Sequence, residues 1–455
     1  MNIINPATED VLDEVPEDTP RSIAAKLAKA RQAQREWART PLERRLEAIR
    51  RFGDLLAEQR PRLEKTLTAE VGKPIAQSTN EIKGMEPRID FFLKNTRAVL
   101  LEETVFENDD ERLQEIISHE PLGVIANVSA WNYPYYVGSN VFLPALLAGN
   151  AVLYKPSEHA TLTGQAIAKL LRKADVPADV FIPVIGGGEV GAELVRQPVD
   201  GVFFTGSYAT GKRVSELVAG RMIKIQMELG GKDPVYVCDD VDVETAAVAV
   251  ADGAFYNTGQ SCCAVERIYV HRRIYARFVE AFVQTVKNFI LGDPVDPTTY
   301  LGPVTRANQL KVLRRQVVDA EAKGATLFRG GQRLPERGYF FEPRVLTDVN
   351  HSMEIMREET FGPAIGIQRV TGDAEAVALM NDTEYGLTAG VYSPDRKRAV
   401  KILSEINSGT AYWNCCDRVS PRLPWSGRGH SGVGVTLSTY GIQTFLQPKA
   451  WHLRK

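Results

Sequence analysis

From residue 122 the chain alternates short β-branched runs with helical stretches, and no other feature limits its fold as much. Strands are expected at 122–128 (LGVIANV), 151–154, 180–185, 201–205 and 223–228, with helices between them near 139–148, 160–174, 188–197 and 208–219. Strands joined through helices pair in parallel, so the pattern predicts a doubly wound sheet with helices on both faces. A sheet of that kind binds ligands at the carboxyl ends of its strands. Residues 242–430 repeat the α/β style with longer helices, for example 272–290 and 306–323. Ahead of both, residues 20–70 are charged, with Leu42, Leu46, Ile49, Leu55 and Leu56 at helical spacing. The polar stretch 96–120 is expected to be a hairpin or an excursion from the body. The apolar tail 437–455 reads as β-like and in need of a partner surface, which another subunit could supply.

At 455 residues the chain is too long for one core, and two or three domains are expected. Its 55 basic and 57 acidic residues leave a formal charge of −2, which offers no electrostatic footprint for nucleic acid or an anionic membrane. The first residues, MNIINPATED, lack the basic and apolar blocks of a secretory signal. No run of 18 apolar residues is present, so no membrane partner is expected. The five cysteines, Cys238, Cys262, Cys263, Cys415 and Cys416, include two adjacent pairs and no CxxC spacing. They suggest neither a disulfide framework nor a metal site, and a reduced, cytoplasmic setting fits them.

Several residues could carry chemistry. Cys262 follows a Gly-Gln-Ser turn at the end of an expected helix. An accessible thiolate is the strongest side-chain nucleophile near neutral pH, although a free Cys is more often a small buried hydrophobe. Glu228 closes an apolar strand ahead of Gly230-Gly231, where partial burial would make it a general base and exposure a plain turn carboxylate. Asn132 follows the first strand and could donate to an oxyanion or cap a turn. Gly206 and Ser207 lie between a strand and a helix, in a spacing that is not GxGxxG. Lys155 and Glu158 follow the strand AVLY, where a carboxylate can accept from ribose hydroxyls and repel an extra phosphate.

In order and spacing, these segments resemble the aldehyde dehydrogenase superfamily along essentially the whole chain. The matching stretches are INPAT (4–8), AWNYP (130–134), PALLAGNAVLYKPSE (144–158), FTGS (204–207), ELGGKDP (228–234), GQSCCA (259–264), GPV (302–304), EETFGP (358–363), NDTEYGLTAGVYS (381–393), SGVG (431–434) and YGIQTF (440–445). The resemblance implies that Cys262, and not Cys263, is the nucleophile and that Glu228 is the base. It also implies that Asn132, with the backbone N–H of Cys262, is the oxyanion donor. Glu359 and Phe361 would hold the nicotinamide ribose and ring, Lys155 and Glu158 the adenine ribose, and Gly206 and Ser207 would lie beside the pyrophosphate. The implied reaction is oxidation of an aldehyde to an acid through a Cys262 thiohemiacetal and thioester, with NAD preferred over NADP.

The implied fold is α/β, with a Rossmann-like NAD-binding domain (1–101 and 122–229) and a second α/β catalytic domain (230–430). A small β oligomerisation element (102–121 and 431–455) would build a homodimer or homotetramer.

The chain departs from the family pattern in places. Ala130 replaces a Pro before the Trp-Asn pair, and Val141 a Lys suspected of relaying protons. Val435 and Thr436 stand where an Arg and a Glu are common. The start so near INPAT implies loss of the N-terminal strand pair of longer members. The substrate entrance is expected from Tyr133, Tyr136 and the loop 414–427, with Arg418, Arg422 and Trp425. Trp425 aligns with an aromatic that helps box an ammonium group in betaine and amino-aldehyde dehydrogenases, but the usual tunnel aromatic is Asn140 here. The two arginines, if turned inward, would favour a carboxylate tail, so the sequence supports opposite readings. A CoA-acylating semialdehyde dehydrogenase would be expected to lack Glu228, and a non-enzymatic relative on the same scaffold to have lost Cys262, Glu228 or Asn132.

Overall fold

The computed structural model describes residues 1–331 and 333–454. Gln332, inside the expected second α/β region, and Lys455, the end of the expected tail, lie outside the described residues. Five parallel strands form the first sheet, in the order Lys224–Glu228, Gly201–Thr205, Val124–Val128, Ala151–Lys155, Phe181–Pro183. Strand order therefore reverses between Val124–Val128 and Gly201–Thr205, which leaves a crevice at their carboxyl ends. Val124, Ile125, Ala126 and Ala151 to Tyr154 are buried, because helices cover both faces of the sheet.

The expected strand 180–185 shortens to Phe181–Pro183, and the expected helix near 139 starts earlier, as Pro134–Leu147. Pro134 stands at the first helical position, where its missing N–H costs nothing. Nearly every side chain of that helix is buried, so it has no polar face whose period could mark its start. The N-terminal helices Pro20–Arg39 and Leu42–Val71 pack into the same core through Ile23, Leu27, Ile49, Phe52 and Leu67.

The second sheet has seven strands, ordered Thr326–Arg329, Arg344–Thr347, Ala364–Val370, Arg267–His271, Pro234–Val237, Thr388–Tyr392, Thr410–Trp413. All its pairings are parallel except the first. The expected helices near 272–290 and 306–323 are Tyr275–Lys287 and Ala307–Ala322.

The stretch 96–120 contains a hairpin, Glu103–Asn108 against Leu113–Pro121, and the tail strand Leu446–Arg454 pairs along it. The tail thus finds its first partner within its own chain. Residues 431–445 differ from the expected oligomerisation element. Gly432–Val433 adds an antiparallel strand beside Met227 and Glu228, and the helix Ser438–Gln443 packs on the helix Met85–Leu100. Gly432 has φ +120°, and a Cβ there would lie 2.0 Å from the Met227 carbonyl oxygen, so only glycine lets the chain approach this strand. At the N-terminus Asn2–Ile4 pairs with Val11–Glu14, folding the chain back around INPAT.

Candidate active site

The helix Val243–Phe255 ends in a tight turn in which Asn257 (φ 54°), Thr258 (φ 57°) and Gly259 (φ 72°) are all left-handed. Two of these are non-glycine residues, each costing on the order of 1–3 kcal/mol. Buried hydrogen bonds hold them there. The Asn257 amide donates to the Gln260 carbonyl (3.0 Å) and the Asn132 carbonyl (3.2 Å), and the Asn257 N–H donates to Gln77 Oε1 (2.9 Å). The N–H of Thr305 donates to Gln260 Oε1 at 2.9 Å. This turn presents Cys262 half-buried. Its neighbour Cys263 is fully enclosed, and its thiol donates to Asp417 Oδ1 at 3.0 Å. A hydrogen bond with Cys262 and burial push that thiol well above its ordinary pKa. Of the two adjacent thiols, both border the smaller pocket, but only Cys262 is half-buried and also borders the second cavity on the cofactor side.

Glu228 ends its strand with its carboxyl buried. Burial pushes it up to about 7, opposed by a hydrogen bond donated by Thr436 and by the charge of Arg88. The hydroxyl of Thr436, which occupies the position of a common family Glu, thus rests on Glu228 itself. Val141 is buried apolar surface. Asn132 lies past the end of Val124–Val128. Its amide donates to the Gln260 carbonyl at 3.2 Å, which leaves one amide hydrogen free. Its own carbonyl accepts from Lys73 Nζ at 2.7 Å, and Lys73 is paired with Glu81 in the interior. Lys73 and Glu81 carried no motif signal, because the Asn132 carbonyl that gives their pair its role lies 59 residues from Lys73.

Three connected cavities meet here. One of about 260 Å³ holds Cys262 and Glu228 in its wall, together with Tyr133, Tyr136, Trp425 and Arg418. A second, of about 230 Å³, shares Cys262 and Glu228 and adds Asn132, Glu359 and Phe361. It leads through Gly206 and Ser207 into a groove of about 650 Å³ lined by Lys155 and Glu158. Cys262 and Glu228 therefore stand between the pocket on one side and, on the other, the second cavity that opens into the long groove.

The groove fits a dinucleotide. Ser207 caps the helix Tyr208–Val218, accepting from the Thr210 N–H at 3.4 Å, and so places a helix N-terminus where a pyrophosphate would sit. The Gly206 N–H donates to the Glu228 carbonyl at 3.0 Å, which ties this turn to the base. Lys155 Nζ is buried and donates to the Pro156 carbonyl (3.1 Å), with Glu158 at 3.8 Å, so donor capacity remains for ribose hydroxyls. Burial opposes ionisation of Glu158, but Lys155 holds it below the usual carboxylate range. At the other end, Glu359 accepts from the Gly231 N–H at 3.2 Å, and burial and the nearby Glu266 push it up to about 8. Glu266 accepts from the N–H groups of Thr360 and Phe361 and pairs with buried Lys232 at 2.6 Å. That pair, which motif reading missed, shapes the loop that carries Glu359 and Phe361. Phe361 stands edge-on to Trp131, with ring centroids 5.6 Å apart.

The aldehyde dehydrogenase family model matches residues 1–451. The chain belongs to the aldehyde dehydrogenase family. Among curated family members, an aminoaldehyde dehydrogenase of Malus domestica is 34% identical over 98% of this chain and 91% of that protein. Two solved members overlie the whole chain. An NADP-dependent enzyme of E. coli gives a TM-score of 0.96 at 31% identity and 94% of its own length. A betaine aldehyde dehydrogenase of Staphylococcus aureus in complex with NAD+ gives 0.95 at 30% identity and 91%. The chain is thus an oxidoreductase of the aldehyde group with a nicotinamide cofactor, NAD or NADP across the family.

The substrate-side expectations separate in the structure. Tyr133, Tyr136 and Trp425 line the smaller pocket. Arg418 stands at its rim, mostly exposed and 3.8 Å from Asp252. Arg422 does not join them: it stands exposed on the loop, outside the pocket, where water solvates its charge. Asp417 and Arg88, which motif reading did not single out, are in the wall.

Proposed function

We propose that this member oxidises an aldehyde to a carboxylic acid with NAD, using Cys262 as nucleophile, Asn132 as oxyanion donor and Glu228 as base. The carrying observation is that Cys262 and Glu228 line both the pocket and the second cavity, which leads on to the groove. The Cys262 thiolate forms a C–S bond to the aldehyde carbon, and the carbonyl electron pair moves to oxygen. The free amide hydrogen of Asn132 and the Cys262 N–H stabilise that oxyanion, a kind of donor worth roughly 3–4 kcal/mol in comparable sites. NAD, when bound, would supply the hydride acceptor, and loss of the hydride from the thiohemiacetal carbon leaves a thioester. Glu228 then takes a proton from water as the water oxygen attacks, the C–S bond breaks, and the thiolate returns. Lys155, Glu158, Gly206, Ser207, Glu359 and Phe361 would hold the cofactor. The Glu158 carboxylate favours a ribose 2′-hydroxyl over a 2′-phosphate, which supports NAD.

Cys262→Ser should abolish NADH formation at 340 nm while NAD still binds, and unchanged turnover would refute the nucleophile. Glu228→Gln should keep a first-turnover burst of NADH and slow the steady state. Loss of the burst would give Glu228 another role.

The exposed Val105, Phe106, Trp451 and Leu453 on the small sheet support a homodimer or homotetramer built through that sheet. The five free cysteines fit a reducing, cytoplasmic setting. A fluorescent fusion found in a membrane-bounded compartment would refute the latter.

A further inference from the structure

Resting on that reading of the reaction, we propose that Arg88 and Asn140 receive a carboxylate on the substrate tail, so that the preferred aldehyde is an ω-oxo carboxylate. Arg88 lies on the helix Met85–Leu100 and Asn140 on Pro134–Leu147, and both line the pocket that opens at Cys262. Each residue is only 3–4% exposed. Among the described residues neither side chain has a hydrogen-bond partner; Arg88 Nε is a buried donor left without an acceptor, while the orphaned Asn140 Oδ1 is itself an acceptor, so Asn140 serves a carboxylate through its amide N–H groups alone.

A buried guanidinium without an ion pair is expensive, and a bound oxyanion removes that cost. Guanidinium and amide N–H groups together match a carboxylate, the guanidinium by its fixed fork.

The other charges on the wall do not replace that ligand. Glu81 is paired with Lys73. Asp417 accepts from Ser261 (2.9 Å) and Cys263 (3.0 Å). Glu228 is pushed up to about 7 and is held by Thr436.

An ammonium tail, by contrast, meets aromatic rings already taken by protein cations. Lys73 Nζ lies 3.7 Å from the Tyr133 ring centre, and the Arg88 guanidinium lies 4.2 Å from that of Tyr136. Those two rings stack on each other at 5.9 Å. The pocket thus departs from the substrate named for the aminoaldehyde dehydrogenase relative.

The test compares 5-oxopentanoate, pentanal and 4-trimethylammoniobutanal with wild-type enzyme, Arg88→Met, Arg88→Lys and Asn140→Ala. Wild type should favour 5-oxopentanoate over pentanal by tenfold or more in kcat/KM. Arg88→Met should lose at least tenfold more on 5-oxopentanoate than on pentanal, through KM, with Arg88→Lys and Asn140→Ala in between. A wild-type preference for the trimethylammonium aldehyde, or equal losses on all three, would overturn the proposal. Oxidation of pentanal without any carboxylate preference sinks this inference and leaves the reaction intact, whereas no NADH from any aldehyde sinks the reaction. Calorimetry with glutarate, the product of 5-oxopentanoate, decides the carboxylate site without turnover. Binding tenfold weaker in Arg88→Met supports it, and equal binding overturns it. If Arg88→Met does not fold, Asn140→Ala and Arg88→Lys carry the same comparison.

Discussion

Glu228 shows how one buried carboxyl serves chemistry at the expense of stability. Its ordinary pKa is 4.5, and burial pushes it up to about 7 in the folded chain. Between those values the native state holds a proton that the unfolded state has released, so folding stability falls as pH rises through that window. Below about 4.5 the penalty is absent, and above about 7 it is complete, at up to about 3 kcal/mol. Glu228→Gln should therefore raise the melting temperature at pH 8 and not at pH 4, read by calorimetry. An unchanged or lower value at pH 8 would refute the burial argument. The hydrogen bond from Thr436 favours the ionised form, so Thr436→Val should move the acid limb of steady-state turnover to higher pH. A limb that stays in place would separate Thr436 from the base. Neither residue's environment can be read from a motif: ELGG names the carboxyl, but the hydroxyl that rests on it arrives from 208 residues away.

At the scale of elements, loops deliver the chemistry and the surrounding structure holds them. The Glu359 loop approaches Gly230 so closely that an added Cβ would lie 2.2 Å from Glu359 Oε1. Gly230→Ala should displace Glu359 and weaken NAD binding by tenfold or more, measured by fluorescence titration, while the fold persists. Unchanged affinity would show that Glu359 does not need this approach. Glu158→Ser should raise kcat/KM with NADP relative to NAD, and no change would argue against a ribose contact. Most strands of the first sheet were legible because they are largely apolar runs, as in Ala151–Lys155 and Gly201–Thr205, although Lys224–Glu228 alternates. The helix Pro134–Leu147 was legible only in its second half, because burial all round erases the amphipathic period.

For the whole molecule, two α/β sheets face one catalytic centre and a small antiparallel sheet stands apart, edged by the tail. Its exposed apolar side chains predict that Val105→Asp with Phe106→Asp lowers the solution mass to that of a monomer, read by light scattering. A mass equal to wild type would place the interface elsewhere. The chain's own order of residues determined the two α/β units, because the alternation of strand and helix is local. It also determined the family, because ordered motifs survive without knowledge of contacts. Tertiary structure alone decided that Gly432–Val433 joins the first sheet, because a two-residue strand has no period of its own. It also left Arg422 in water and brought unpaired Arg88 to the pocket with Asn140. Burial and the lack of a partner are properties of packing, and no spacing along the chain encodes them.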